Sequence, residues 1–418
     1  MMTAAATGTS VFVVVGIGAD GWAGLTDRAR DELRSATVVY GSTRQLELLP
    51  DLDATTVAWH SPMSEHLQQV LSAASDAATS DSPGPGSLVH VLASGDPMFH
   101  GVGSTIVNAV GRNRVRVLPT VSSASLACAE LGWDLSRTQV ISTLRDDADV
   151  VVPALTDGRR ILVLSRGPQT PAAIAEVLVR NGFGWSTMTV LEQLGGPRQR
   201  IVETVARSYR PQPHDALNIV AIDCVGPSTT RLPGLPDDAY EHDGQLTKSA
   251  VRALTVAALA PGGRAILWDI GSGSGSVAIE WLRADSDGTA IAFERDHVRA
   301  ARLGRNAARH GVAGSLTVLG AAPESLRGAP DPDAIFIGGG LDDEVLTASW
   351  HALLPGGRLV ANAVTVETQS LLVDWHRRLG GTVRRFSIET VEPLGTMTTW
   401  RPALPIVQWV VTRTDDES

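Results

Sequence analysis

Cysteine is scarce in this chain, which has only Cys128 and Cys224 among its 418 residues. Two distant cysteines supply neither a disulfide framework nor a cysteine-based zinc site, and they suit a reducing compartment. No apolar run reaches the roughly 18 residues of a membrane helix, and residues 1–10 lack the basic start of a secretory signal. We therefore expect a cytoplasmic protein with no metal site and no membrane partner.

Positive charge is also in short supply, because 35 Lys and Arg stand against 45 Asp and Glu, a formal net charge of −10. An acidic balance argues against a nucleic-acid surface. With 418 residues, 43% of them hydrophobic, the chain is long enough for two or three globular domains. We expect a small-molecule substrate, no nucleic-acid partner and a homo-oligomer.

The most informative stretch is 264–280, which reads RAILWDIGSGSGSVAIE. Ala265–Trp268 is predicted to be a short buried strand, three glycines follow at alternate positions, and an amphipathic run then begins a helix. Glycine permits a tight turn and the close approach of a ligand, and a helix N-terminus offers free N–H groups. The G-x-G-x-G spacing favours S-adenosylmethionine (SAM) over a dinucleotide, because the shorter loop has no pyrophosphate to hold.

A second signal is Glu294, which ends the next predicted strand 19 residues after Gly275. An acid at that position can accept hydrogen bonds from ribose hydroxyls. Two final strands, 383–389 and 406–412, are predicted to pair as the antiparallel ending typical of SAM-dependent Rossmann-like folds. An NAD(P)-linked oxidoreductase, with a dinucleotide at the Gly271 loop, remains the alternative at this point.

The first half of the chain shows other small-residue turns after predicted strands. Val11–Val15 leads into a Gly-rich loop, and the strand at 88–92 leads into 93–97. Asp96 is predicted to cap a helix from Met98 to Val110, and the alternative is that it faces a cofactor pocket. Five further strands are predicted at 138–141, 160–164, 187–191, 200–204 and 217–222, before a linker at 227–236 that is rich in Pro, Gly, Ser and Thr.

Four segments of this half resemble, in order and spacing, the tetrapyrrole methyltransferase family: Val14–Gly18, Ser94–Pro97, Pro119–Ser123 and Asn218–Val220. The resemblance implies a two-lobe α/β fold over 10–226, with lobes of about 10–118 and 119–226 and with SAM between them. It implies that the SAM pocket is lined by Ile17, Ser94, Gly95, Asp96, Val121, Ser122, Asn218 and Ile219.

Residues 237–413 are similar to the decarboxylating precorrin methyltransferase domain, through Asp237-Asp238 with Thr247-Lys248, 269–277, 322–324, 335–340 and 353–364. The resemblance implies a Rossmann-like SAM-dependent (class I) methyltransferase fold. Thr247 is also predicted to be the N-cap of a helix at 248–260. We expect cofactor contacts from Thr247, Gly271, Ser272, Gly273, Ser274, Gly275, Glu294 and Ala322.

The order of the two domains resembles the family of bifunctional precorrin C5,15-methyltransferases. That resemblance implies one SAM per domain, a precorrin substrate, methylation at C5 and C15, and decarboxylation of the C12 acetate in cobalamin biosynthesis. The proton donor for decarboxylation is unassigned, and Asp96, Tyr240 and His242 are weak candidates. A non-catalytic corrinoid-binding protein is the remaining alternative, because Ala321 stands where many family members have an acid, and 142–146 lacks a histidine that they carry.

Overall fold

The computed structural model describes residues 11–77 and 88–414, with all their side chains except those of 74–77. Contacts between residues divide the chain into two compact units. Unit 1 comprises the residues up to Leu144 and Asp157–Pro227, and unit 2 comprises Arg145–Thr156 and the residues from Ser228 onward. The segment 145–156, which the sequence assigned to the first domain, thus groups with unit 2. The domain limits at 226 and 237 stay a prediction.

The first lobe of unit 1 contains five strands, β1 (Phe12–Ile17), β2 (Val38–Gly41), β3 (Thr55–Ala58), β4 (Val89–Ser94) and β5 (Val115–Leu118). They form a parallel sheet in the order β3-β2-β4-β1-β5. Its helices are α1 (Asp27–Arg34), α2 (Thr43–Leu46), α3 (Met63–Ala77) and α4 (Val102–Val110). Val13, Val14 and Val15 are all fully buried, because β1 lies between β4 and β5 and is covered on both faces.

The second lobe contains α5 (Ser123–Leu131), β6 (Thr138–Ser142), β7 (Arg160–Leu164), α6 (Thr170–Arg180), β8 (Thr187–Glu192), β9 (Arg200–Val205) and β10 (Asn218–Asp223). The sheet order is β6-β7-β10-β8-β9, and only β6 and β7 run parallel. All five strands predicted here are confirmed. The two lobes meet at Gly196, where an added Cβ would lie 2.7 Å from the backbone oxygen of Ala19.

Unit 2 is one large sheet with helices on its faces. Its first elements are α7 (Ser249–Leu259), β11 (Ile266–Ile270), α8 (Ser276–Ala284), β12 (Thr289–Phe293), α9 (His297–Arg309), β13 (Leu316–Leu319) and β14 (Ala334–Ile337). They are followed by α10 (Asp343–Ala352), β15 (Arg358–Ala363), α11 (Val366–Leu379), β16 (Thr382–Phe386), β17 (Glu389–Leu394), β18 (Met397–Pro402) and β19 (Ile406–Thr412).

Seven of these strands form the sheet, in the order β13-β12-β11-β14-β15-β19-β16. Five run parallel, and β19 lies antiparallel between β15 and β16. The predicted pairing of the two final strands is therefore confirmed. β11 is the middle one of the five parallel strands, so its carboxyl end, where the glycine loop begins, is flanked by the ends of β12 and β14.

Three predictions of local structure are wrong. Thr247 is not the N-cap, because the helix begins at Ser249 and its first N–H is bonded by Asp237 from twelve residues upstream, at 2.9 Å. Asp96 does not cap a long helix, because α4 begins only at Val102; the Asp96 carboxylate accepts from the Met98 N–H within a turn. A separate hairpin, β17–β18, intervenes between the last two sheet strands.

No helix of the described ranges is long and apolar enough to cross a membrane.

A buried carboxylate, Glu280, ties the start of unit 2 to α8. Only 1% of Glu280 is exposed. It accepts from the N–H groups of Gly234 (2.6 Å) and Leu235 (3.0 Å), from the Tyr240 hydroxyl (3.0 Å) and from Nε of Arg252 (2.6 Å). Arg252 is itself fully buried and also donates to the Thr247 carbonyl oxygen. Residues 234, 235, 240 and 247 are therefore held by one buried ion pair.

Replacing Glu280 with alanine is expected to destabilise unit 2 strongly. The substitution leaves the Arg252 guanidinium buried without its main counter-charge, which costs about 3–5 kcal/mol for a pair of this kind. Calorimetric unfolding of the full chain would show this as a lower transition temperature for unit 2. Asp374→Ala removes an exposed ion pair with Arg377 and is the control, with little change expected. Equal unfolding temperatures of unit 2 in the two variants would contradict the role of the Glu280–Arg252 ion pair in its stability.

Candidate functional site

The glycine loop of unit 2 lies between β11 and α8. Gly271, Gly273 and Gly275 have φ angles of +68°, +57° and +76°, in the left-handed region that favours glycine. The N–H groups of Gly271 and Ser272 point to the carbonyl oxygen of Phe293, at 3.0 and 3.3 Å. The loop is thereby fixed to the end of β12, and its turn follows from the three glycines that the sequence analysis singled out.

The second glycine-rich segment of unit 2, Gly338–Gly340, packs directly on this loop. A Cβ built on Gly271 would lie 2.4 Å from the backbone oxygen of Gly339, and Gly338 donates its N–H to Ile270 at 2.9 Å. Real Cβ atoms do not tolerate such a distance, so the two loops approach each other only because no side chain stands between them. This leaves an exposed backbone surface where a ligand can approach closely.

Glu294 has the position that the sequence predicts, directly after β12 beside the loop. Its two carboxylate oxygens accept from the N–H groups of Gly273 (2.8 Å) and Asp296 (2.9 Å), and 7% of the residue is exposed. Each carboxylate oxygen has a further lone pair available for a hydroxyl donor. A role in ribose binding stays a prediction, and the geometry is compatible with it.

Asp269 is a site residue that the sequence analysis did not single out. It ends β11 beneath the loop and is 1% exposed; its Oδ2 accepts from the Ala278 N–H at 3.2 Å. Gly275, the N-cap of α8, has no side chain to bond these first N–H groups, so Asp269 does so instead. Oδ1 has no hydrogen-bond partner among the described residues. Burial, together with the nearby Glu294 carboxylate, raises the pKa of Asp269 to about 7 despite the Ala278 bond.

Thr247 and Ala322 approach the loop from two other segments. Both are half-buried. The carbonyl oxygen of Gln245, two residues before Thr247, lies 3.8 Å from the position of a Cβ on Gly273. Ala322 follows β13, which pairs with β12 and so ends on the same side as Glu294. Ser272 and Ser274 lie within the loop, and the Ser272 hydroxyl donates to the backbone carbonyl oxygen of Asp269 at 2.6 Å. The predicted loop residues, Glu294 and Ala322 thus follow neighbouring strands at one edge of the sheet, and Thr247 comes two residues after the Gln245 contact with the loop. Cofactor binding by these residues stays a prediction.

The two proton-donor candidates of unit 2 differ in their surroundings. Tyr240 is 3% exposed, its hydroxyl donates to Glu280, and burial together with the Glu280 charge raises its pKa above the ordinary value. Its proton is therefore held by the buried ion pair. His242 is exposed, and its Nδ1 lies 3.0 Å from the Gly244 N–H, so its Nε2 carries the proton of the neutral ring.

The site residues of unit 1 also meet at the carboxyl edge of a parallel sheet. Ile17 of β1 pairs with Ser94 of β4, and the Gly95 N–H donates to the Ile17 carbonyl oxygen at 3.0 Å. Gly95 has a φ of +60°, and its Cβ position is 3.8 Å from the carbonyl oxygen of Val121. A Cβ on Gly16 would lie 2.5 Å from the carbonyl oxygen of Gly95. The turns after β1, β4 and β5 are thus in contact through backbone.

The polar groups of this edge have defined partners. The Ser94 hydroxyl accepts from Arg44 Nη2 at 2.9 Å and from Gln45 Nε2 at 3.1 Å. Ser122 is the N-cap of α5 and accepts from the Ser125 N–H at 3.1 Å, whereas Val121 is 57% exposed. Arg44 had no signal in the sequence, because only the folded chain brings α2 beside the end of β4.

The second lobe contributes Asn218 and Ile219 at the start of β10. Ile219 pairs with Leu164 at the end of β7, so these residues share an edge. Asn218 is 7% exposed; its Nδ2 donates to Asp215 (2.7 Å) and Gly167 (3.3 Å), and its Oδ1 has no hydrogen-bond partner within the described ranges. A buried amide oxygen of this kind is available to a donor from a ligand. Cofactor binding by these residues stays a prediction.

Family models match both halves of the chain. The model described as Tetrapyrrole (Corrin/Porphyrin) Methylases matches residues 11–209, and the model described as Precorrin methyltransferase domain matches residues 238–413. With the two sheets and their glycine-lined edges, these matches define the class of the protein. It is a two-domain, SAM-dependent methyltransferase.

Relatives of known name match over almost the whole length. A precorrin-6Y C(5,15)-methyltransferase (decarboxylating) from Mycobacterium tuberculosis (strain CDC 1551 / Oshkosh) is 45% identical over 408 residues, 96% of this chain and 100% of the relative. One from Sinorhizobium sp is 44% identical over 406 residues, 96% of each chain. The chain therefore belongs to the family of decarboxylating precorrin-6Y C(5,15)-methyltransferases. Neither an NAD(P)-linked oxidoreductase nor a non-catalytic corrinoid-binding protein describes it.

A solved domain is also similar to the second half. The C-terminal domain of a precorrin-6Y C5,15-methyltransferase from Rhodobacter capsulatus is 44% identical, covers 44% of this chain and 100% of that chain, and has a TM-score of 0.43.

Gly271→Ala is expected to abolish SAM binding in unit 2. The new methyl group would lie 2.4 Å from the Gly339 oxygen, so one of the two loops must move. Gly356→Ala is the matched control, because Gly356 also has a positive φ, +79°, but nothing lies within 4 Å of its Cβ position. Calorimetric titration with S-adenosylhomocysteine distinguishes the two variants. Equal loss of binding in both would mean that backbone strain, and not contact between the loops, is responsible.

Asp269→Asn is expected to flatten the pH dependence of stability in unit 2. The folded carboxyl has a pKa of about 7, above the ordinary value near 3.9 in the unfolded chain, so folding takes up a proton between about pH 4 and pH 7. Stability from this group is therefore present at low pH and lost as the pH rises through 7. The free energy of unfolding of unit 2 should fall less steeply with rising pH in the variant than in the wild type when both are measured from pH 5 to 8. The two slopes should differ by up to about 1.4 kcal/mol per pH unit. If the free energy of unfolding depended on pH in the same way in the wild type and in Asp269→Asn, the raised pKa would be excluded.

Proposed function

We propose that this chain methylates a precorrin at C5 through unit 1 and at C15 through unit 2, and that unit 2 also releases the C12 acetate carboxyl as carbon dioxide. The reaction belongs to cobalamin biosynthesis. The relatives' names state a C(5,15)-methyltransferase that decarboxylates precorrin-6Y, and the similarity extends over 96% of this chain. The cytoplasmic location and the homo-oligomer stay predictions.

The observation that carries the division of labour is the presence of two separate backbone cradles, one in each unit. In unit 1, the Gly16 and Gly95 backbones touch at the edge of the sheet; in unit 2, Gly271 and Gly339 do so. In each cradle two backbones approach so closely that no side chain fits between them, and a ligand can lie against the backbone surface that this leaves. The sheets that carry the two cradles have different strand orders, which supports our proposal that each unit has a cofactor site of its own.

The residues present in unit 2 fit SAM. The positive N-terminal end of α8 suits the cofactor's carboxylate, and the Glu294 oxygens suit its ribose hydroxyls. The buried Asp269, with one carboxylate oxygen unpartnered among the described residues, suits a positive group. Ala321 offers no acid to the adenine, so we assign that contact to the backbone around Ala322.

When bound, SAM supplies a methyl group that its sulfonium already activates for displacement. The chain therefore has mainly to hold an electron-rich ring carbon in line with that methyl group, at about 3–3.5 Å, and to exclude water. Decarboxylation additionally needs a proton on the ring, so that electrons released from the acetate have a sink. His242 is the candidate donor in unit 2, because its ring is exposed whereas the Tyr240 hydroxyl is bonded to the buried Glu280. As a donor it acts in the imidazolium form, which gives up the bond from the Gly244 N–H to Nδ1.

Single substitutions in the full chain should separate the two reactions. Gly16→Ala places a methyl group 2.5 Å from the Gly95 oxygen and is expected to block the site of unit 1, as Gly271→Ala blocks that of unit 2. Mass spectrometry of the product from SAM and the precorrin is the measurement. Wild type should add two methyl groups and remove one carbon dioxide, Gly16→Ala should lose one methylation, and Gly271→Ala should lose the other together with decarboxylation.

Binding stoichiometry is the control for this experiment. Titration with S-adenosylhomocysteine should give two sites per chain for wild type and for Gly356→Ala, and one site for each of the two blocked variants. A single site in the wild-type chain would refute the proposal of one SAM per unit. Loss of decarboxylation in Gly16→Ala, with the carboxyl retained in an otherwise methylated product, would assign that step to unit 1 instead.

A further inference from the structure

A short stretch before α7, residues 241–245, lies beside the glycine loop; we call it the covering segment. The Gln245 carbonyl oxygen is 3.8 Å from the Cβ position of Gly273. All five residues of the covering segment are exposed. Hydrophobic burial therefore does not keep the segment in place, and polar contacts must do so.

One fully buried side chain, Asn306 of α9, joins the covering segment to the loop. Its Oδ1 accepts from the Glu241 N–H at 2.9 Å, and its Nδ2 donates to the Glu241 carbonyl oxygen at 3.0 Å. The second Nδ2 hydrogen goes to the carbonyl oxygen of Ser274, at 2.9 Å. Both N–H groups and the oxygen of the amide are thus used, and hydrogen bonds at such a buried position do not compete with water.

The remaining contacts of the covering segment are ion pairs with the same helix. Arg305 binds the Glu241 carboxylate at 2.8 Å, and Asp243 binds Arg299 at 2.8 Å and Arg302 at 3.3 Å. Each of these side chains is partly or largely exposed, and exposed pairs stabilise by little. They orient the segment along α9, but they do not reach the glycine loop.

We propose that Asn306 is a positioning residue of the SAM site in unit 2. By holding Glu241 and Ser274 together, it keeps the covering segment against the glycine loop, so that Thr247 and Gly271–Gly275 face the same ligand. The inference rests on the proposed function in that it takes this loop as a SAM site. Asn306 acts through the two segments and touches neither the cofactor nor the substrate.

The test uses the full chain with Asn306→Ala and Asn306→Asp. Alanine removes all three bonds, and aspartate keeps the volume but loses both donated bonds and adds a buried charge. Titration with S-adenosylhomocysteine should show about tenfold or greater loss of affinity at the site of unit 2, with unit 1 as an internal reference. At saturating SAM, kcat should fall by less than about threefold, since Asn306 does not take part in the reaction.

Gln408→Ala is the matched control. Gln408 is also fully buried, and its amide donates to Thr255 of α7 and Asn362 of β15. Within the described ranges it has no hydrogen bond to the covering segment or to the glycine loop. It should lower the melting temperature as the Asn306 variants do, yet change the affinity for S-adenosylhomocysteine by less than about threefold. Equal loss of affinity in both variants would reduce Asn306 to a general stabiliser of the fold.

Hydrogen exchange of the wild-type chain gives a measurement that needs no variant. Addition of S-adenosylhomocysteine should slow exchange at 241–245 as well as at the glycine loop. Protection of the loop without protection of 241–245 would overturn the role of Asn306 and leave the proposed function intact. No protection at the loop would count against the SAM site itself, so the two failures are distinguishable.

Discussion

The contact between the backbones of Gly271 and Gly339 is the constraint on which the site of unit 2 depends. It brings the ends of β11 and β14 closer than any side chain would permit. The turn that follows then directs the start of α8 toward the edge of the sheet, and Asp269 bonds the first turn of that helix from below. Glu294 fixes the middle of the loop through the Gly273 N–H. A ligand at this edge meets a rigid, polar backbone surface.

Unit 1 uses the same physical device in an unrelated sheet. The Gly16 and Gly95 backbones touch at the ends of β1 and β4, and the turn at Val121, after β5, lies against Gly95. The flanking polar groups differ, since Arg44 and Gln45 bond Ser94 where unit 2 has carboxylates beside its loop. In both units neighbouring parallel strands end together, which is where open α/β sheets bind ligands.

Much of this arrangement could be predicted from the sequence because it is local. Glycine spacing, an acid at a strand end and continuous apolar runs each report on a few consecutive residues. Thr247, Tyr240 and Asp269 depend instead on distant partners. Asp237 bonds the helix start in place of Thr247, and Glu280 binds Tyr240 from 40 residues away. The hairpin β17–β18 was missed because its residues pair only with each other and are almost all exposed, without a clear alternation.

The buried polar groups of unit 2 are best understood together. Glu280 holds residues 234, 235 and 240, and Asn306 holds residue 241, so two consecutive anchors fix the chain directly before α7. Neither anchor faces the ligand, and both are nearly or fully buried, which makes their hydrogen bonds strong and their loss costly. The exposed covering segment can therefore keep one conformation without an apolar face.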